Sequence, residues 1–157
     1  TLPAMSGLDE HSTRVLCPAS NYLFVERIGP FMDTAREAWQ ELHQKLPEVQ
    51  ALTRITGHVA LYRVKPEMVY RAAVTVTEIP TSLPSGMRAF TLPEAGYEQF
   101  VLTGPYHQLP EACGRVFELI EERSIPLRDD YFVEHYVNDP ASTPEAELIT
   151  HIRVPTL

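Results

Sequence analysis

At 157 residues the chain has the length of about one domain, and its 44% hydrophobic and 22% charged content excludes a wholly disordered chain, a collagen-like chain and a disulfide scaffold. Twenty-one acidic residues against 13 basic ones leave a formal charge of -8 at pH 7, and the sequence shows no cluster of Lys and Arg. Direct nucleic-acid binding is therefore not expected, whereas acidity suits a cationic ligand as well as plain solubility.

The N-terminus reads as a loose tail over residues 1–11, with no basic segment leading into an apolar core of a secretion signal. Residues 12–157 read as a single domain, divided into halves at about 12–80 and 87–155. In the first half, a short strand at 13–17 precedes a strand at 21–28. Gly29-Pro30 turns the chain into a helix whose apolar face is Ala35, Trp39, Leu42 and Leu46, and Pro47 is expected to stop it. Strands follow at about 56–64 and 70–78. The loop TSLPSG at 81–86 is the seam between halves. A strand at 87–91 then precedes one at 97–103, and Gly104-Pro105 opens a second helix with Leu109, Ala112, Cys113, Val116 and Ile120 on one face. Strands at 130–137 and 146–154 close the chain across the loop NDPASTP, with EAELIT (145–150) as a solvated edge.

The two halves repeat one another. RVLCPASNYLFVERIGPF (14–31) aligns with RAFTLPEAGYEQFVLTGPY (88–106): Pro18, Tyr22, Gly29, Pro30 and Phe31 match Pro93, Tyr97, Gly104, Pro105 and Tyr106. Further on, Ala38, Trp39, Leu42, Leu46 and Tyr62 match Ala112, Cys113, Val116, Ile120 and Tyr136. The expected fold is α+β: duplicated β-α-β-β modules with pseudo-twofold symmetry, forming an antiparallel-rich sheet with two main helices packed on it.

Glu134 is the outstanding residue. In the strand YFVEHYV it shares a face with Phe132 and Tyr136, and its counterpart in the first half is Ala60. A carboxylate flanked by aromatics must be paired if it is buried and charged, or else raise its pKa; on a solvated face it is an ordinary surface residue. A slip of one residue would put His135 there instead. Phe31 and Tyr106, Tyr62 and Tyr136, and Trp39 form a second set, able to pack as core or to line a pocket for planar or cationic ligands. No metal-ligand spacing is present, no metal or cofactor is expected, and Cys113 reads as packing. His135 and His151 could meet across a hairpin in a structural role. Two cysteines in different elements make no disulfide framework, which fits a cytoplasmic protein, and no apolar run approaches the roughly 20 residues of a membrane span.

Three segments, LPEAGYEQFVLTGPYHQL (92–109), YFVEHYVNDP (131–140) and ELITHIRVP (147–155), together with YRAAVTV (70–76), resemble the GyrI-like small-molecule-binding family, shared with effector-binding domains of AraC-type and MerR-type multidrug-sensing regulators. The resemblance covers roughly residues 12–155. It implies two β-α-β-β modules with a ligand cleft between them and a glutamate, here Glu134, that meets lipophilic cations. Tyr136, Tyr106 and Trp39 are implied as pocket lining, beside Phe31, Tyr62 and Phe132. About 20 residues precede the first repeat, too few for a helix-turn-helix domain, so a stand-alone member is expected. Three functions follow: a binding protein for lipophilic, planar or cationic small molecules; a hydrolase in which Glu134 helps water open an electrophilic ring; or a gyrase-inhibitor-type module with a protein partner. A fold-related haem-binding family adds His58 or His135 as conceivable axial ligands.

Overall fold

Strong β character alternates twice with a single amphipathic helix, and the chain folds accordingly. The computed structural model describes residues 7–157. Its strands are β1 (Leu8–Cys17), β2 (Ser20–Ile28), β3 (Ile55–Arg63), β4 (Val69–Val76), β5 (Arg88–Leu92), β6 (Ala95–Thr103), β7 (Phe132–Tyr136) and β8 (Ile149–Pro155). Helix α1 (Phe31–Leu52) lies between β2 and β3, and helix α2 (Leu109–Glu122) between β6 and β7. Each helix is entered through the expected Gly-Pro turn. Gly29 and Gly104 both take positive φ, 130° and 143°, a region costly for any side chain.

All eight strands form one antiparallel sheet in the order β1-β6-β8-β7-β3-β4-β2-β5. The order is a palindrome under exchange of the halves, so the duplication is a symmetry of the fold. The leading strand of each half leaves it and pairs with the other: β1 joins β6, and β5 joins β2. The halves meet centrally through β3 and β7, where Ala60 faces Glu134, Tyr62 faces Phe132 and His58 faces Tyr136. Exchanging the halves turns the second of these pairs into the third. The pseudo-twofold axis therefore passes through the Ala60–Glu134 pair.

Both helices lie on one sheet face. Leu23, Val25, Ala60, Ala72, Val74, Phe100, Leu102, Ile152 and Val154 pack there with Ala38, Leu42 and Val49 of α1 and Ala112, Val116 and Leu119 of α2. The opposite face has no helix, yet Tyr22, Phe24, Val59, Leu61, Tyr97 and Val133 are buried on it. The cause is curl. Tyr22 on β2 and Tyr97 on β6 are five strands apart, roughly 24 Å in a flat sheet. Even so, Tyr97 is pushed up to about 12 by burial and Asp130, with Tyr22 and Cys17 adding to the rise. The chain requires the closure: β1 and β2 lie six strands apart in the sheet but are joined only by Pro18 and Ala19, and Tyr22 and Tyr97 pack in one second core.

Several expectations are corrected. Part of the span 1–11 is not a loose tail: β1 already begins at Leu8, which is buried, and Arg115 of α2 holds Glu10 at 2.8 and 3.0 Å. Residues 1–6 lie outside the described residues. Pro47 does not stop α1, which runs on to Leu52 because Val49 buries the final turn. The fully buried stripe of α1 is Thr34, Ala38, Leu42 and Val49, with Ala35, Trp39 and Leu46 on its flank. Part of EAELIT forms a short 3-10 turn, Glu145–Glu147, before β8. Arginines scattered along the sequence do gather in space: Arg71 lies 4.1 Å from the Phe24 ring centroid and 4.6 Å from that of Tyr131, Arg63 also covers Tyr131, and Arg88 also covers Phe24. Glu26 pairs with both Arg71 and Arg88.

Candidate functional site

The two helices leave a cleft between them, floored by β3 and β7, with a volume of about 1330 Å³. Trp39, Phe31 and His43 of α1 form one wall; Tyr106, Cys113 and Phe117 form the other; Tyr62, Glu134 and Tyr136 lie at the base. A shallower hollow of about 560 Å³ at residues 50–55 brings together no chemical groups of note.

Glu134 lies at the centre with 7% of its surface exposed. Strand alternation puts it on the helix side with Phe132 and Tyr136, so the one-residue slip does not occur. Tyr136 Oη donates to Oε1 at 2.8 Å, and Cys113 Sγ donates to Oε2 at 3.2 Å. Tyr62 Oη lies 3.5 Å from Cys113 Sγ, and Trp39 Nε1 donates to Tyr70 Oη at 2.8 Å. Burial raises the Glu134 pKa, against the stabilising hydrogen bonds of Tyr136, Cys113 and Tyr62. Burial and then the neighbouring charges, Glu134 among them, also push up Tyr62, Tyr70, Tyr136 and Cys113. These groups stay protonated and serve as donors, so Glu134 is the deep group of the site able to carry negative charge.

The rings form a continuous lining. Tyr62 stacks on Phe132 at 5.7 Å, Phe31 meets Tyr62 edge-on at 5.5 Å, and Phe117 lies 5.1 Å from Phe132. Tyr136 meets Trp39 at 5.6 Å and Tyr106 at 5.3 Å, both near edge-on. The Tyr106 hydroxyl is buried with no partner, and burial followed by Asp139 raises its pKa. His58 also lines the cleft; burial and then His43 lower its pKa, so it is not a cation at neutral pH. Such a site can hold an aromatic or lipophilic body against rings and a positive charge against Glu134.

The GyrI-like small molecule binding domain model matches residues 15–157. The chain belongs to this family. Among solved structures, this GyrI-like chain is similar to the C-terminal domain of EcmrR, at 17% identity and a TM-score of 0.77, over 94% of this chain and 97% of that one. It spans 56% of the EcmrR chain in a complex with DNA, at 17% identity over 92% of its own length and a TM-score of 0.74. SAV2435 bound to tetraphenylphosphonium is similar at 17% identity and a TM-score of 0.69, over 94% of each chain. A hydrolase from Listeria innocua matches at 12% identity and a TM-score of 0.59, over 94% of this chain and 92% of that one. No curated protein sequence matches the chain.

Within this GyrI-like fold, the seven residues singled out from the sequence, Phe31, Trp39, Tyr62, Tyr106, Phe132, Glu134 and Tyr136, all converge on the cleft or its base. The sequence reading missed Tyr70, Phe117 and the contact of Cys113 with Glu134. Cys113 had a signal, since it is the repeat counterpart of Trp39; Tyr70 had the alternation of β4. Both conceivable haem ligands, His58 and His135, border the cleft, and the His135 ring also pairs with that of His151. Among the described residues, no three His, Cys, Asp or Glu side chains are grouped to hold a metal, and no helix is long and apolar enough to cross a membrane.

Proposed function

We propose that this GyrI-like protein binds lipophilic cations, planar ones included, in the cleft between its helices. The observation that carries the reading is a single buried carboxylate, Glu134, at the base of an aromatic-lined cleft. A cation entering there meets Glu134 as counter-charge, while Trp39, Phe31, Tyr106 and Tyr136 cover the apolar body. The ligand named with SAV2435, tetraphenylphosphonium, is a lipophilic cation of this kind and supports the reading. Two unpaired cysteines, Cys17 and Cys113, fit a reducing cytoplasm, where we place its action.

The test is a titration with tetraphenylphosphonium and with a neutral planar compound, followed by fluorescence of Trp39, the only tryptophan. Glu134→Gln should weaken the cation by about 10- to 100-fold, the range of a lost hydrogen-bonded charge, and leave the neutral compound nearly unchanged. Equal affinity of both proteins for the cation overturns the reading. A second reading, hydrolysis, draws on one observation: a desolvated carboxylate beside phenols and a thiol can act as a base toward water. Product detected by mass spectrometry from an electrophilic ring compound, and lost in Glu134→Gln, would establish it.

A further inference from the structure

Strand β7 alternates its side chains between two faces, Glu134 toward the cleft and His135 toward the other side. We propose that this second face carries an oxyanion site, built by Arg153, His135, His151 and Gln99, that takes a phosphate or carboxylate group.

The four residues come from three adjacent strands. His135 and His151 are direct cross-strand partners of β7 and β8, with ring centroids 6.0 Å apart and planes at 71°. Arg153, two residues along β8, is paired with Gln99 of β6. Arg153 Nε donates to Gln99 Oε1 at 3.0 Å. This bond orients the guanidinium, and it leaves the terminal nitrogens of Arg153 and the amide group of Gln99 as donors. Nδ1 of His135 and Nδ1 of His151 are both sealed from solvent without a hydrogen-bond partner, so each ring offers its Nε2 to an incoming group. On the neighbouring strand β3, Gly57 has no side chain: a Cβ there would lie 3.6 Å from His135 Nε2 and 2.9 Å from Thr75 Oγ1. Glycine at this position keeps a side chain away from that edge of the His135 ring. Curl of the sheet brings the Tyr22 phenol within the field of Arg153 from the far side.

The charge around these groups has one sign. Arg153 makes no ion pair among the described residues, unlike Arg63, Arg71, Arg88 and Arg128 on the same curled face. The charged groups acting on His135 are Arg153 and His151; the one acting on His151 is Arg153. No carboxylate offsets them, in a chain with 21 acidic residues. Burial first, then these cations, push His135 down to about 4 and lower His151 as well. A metal ion between the imidazoles would be repelled by Arg153. An oxyanion against Arg153 meets the guanidinium and the Gln99 amide as donors, and each histidine that gains a proton adds a charge-assisted bond through Nε2. Binding therefore tightens as pH falls.

The test follows the histidine C2–H resonances by NMR through a pH titration, in chloride alone, with inorganic phosphate and with acetate, at constant ionic strength. Single His→Asn variants assign the peaks. With a bound anion, His135 and His151 should titrate about one unit higher, while His58 does not move. In Arg153→Gln, both should titrate higher in chloride alone, because the repulsion is gone, and the response to anions should vanish. A larger response to phosphate than to acetate would assign a phosphoryl group, and an equal one a carboxylate. Superimposable curves with and without either anion, or an anion response that survives Arg153→Gln, overturn the proposal. Arg153 lies outside the cleft lining, so loss of the anion response in Arg153→Gln and loss of cation binding in Glu134→Gln are read separately, and failure here leaves cation binding at Glu134 standing.

Discussion

Glu134 has a pKa raised above its ordinary value, and that shift has consequences for binding and for stability. A cation gains from Glu134 only when the carboxyl is ionised. Affinity for tetraphenylphosphonium should therefore climb as pH rises through the raised pKa and level off above it, while affinity for a neutral planar compound stays flat; isothermal titration at a series of pH values measures both. The stability effect has the opposite slope. Between the unfolded and the folded pKa, the native state holds a proton that the unfolded state has lost, so stability falls as pH rises across that window. Glu134→Gln removes this penalty. Its thermal midpoint should lie above wild type at pH 8, with the gap closing toward pH 4. The lowered histidines act on the acid side: the native state resists protonating His135 and His151, so stability drops as pH falls from about 6.5 toward 4.

At the scale of elements, helix α1 shows where local rules were overridden. Pro47 carries the usual stop signal, since it has no N–H and crowds the carbonyl four residues earlier, at His43. The helix continues because Val49 is fully buried beyond it, and burial of the last turn outweighs one lost hydrogen bond. Pro47 itself is exposed, so replacing it removes no packing. Pro47→Ala should stabilise the protein by about 1–3 kcal/mol, read as a higher urea midpoint with an unchanged slope. Strand β1 was hidden for a different reason. Its start, LDEHSTR, lacks the alternation of a half-buried strand because it lies at the sheet edge and is held by backbone pairing and by Arg115. The Gly-Pro turns and the strands of YFVEHYV and YRAAVTV were legible because backbone conformation and side-chain alternation leave direct marks on sequence.

For the whole molecule, the repeat made the sheet's symmetry legible, but not which strands pair, since exchange of β1 and β5 between halves depends on curl. Curl likewise created the second core and drew Tyr22 toward Arg153, which no spacing along the chain announces. The symmetry also explains why the site has one carboxylate. Glu134 lies on the pseudo-twofold axis, directly opposite its own counterpart, Ala60, which is fully buried. A faithful repeat would set two carboxylates face to face across adjacent strands, with Cβ atoms about 5 Å apart. Ala60→Glu builds that arrangement. The second carboxyl would compete for Tyr136 and Cys113, donors that already serve Glu134. One of the pair must then stay protonated well above the ordinary carboxylate range. Urea unfolding should show a loss of about 3–5 kcal/mol at pH 8, the cost of an uncompensated buried charge, and a smaller loss at pH 5, where a shared proton is easier to retain. A loss that does not vary with pH would mean that bulk, and not charge, excludes a second glutamate from the axis.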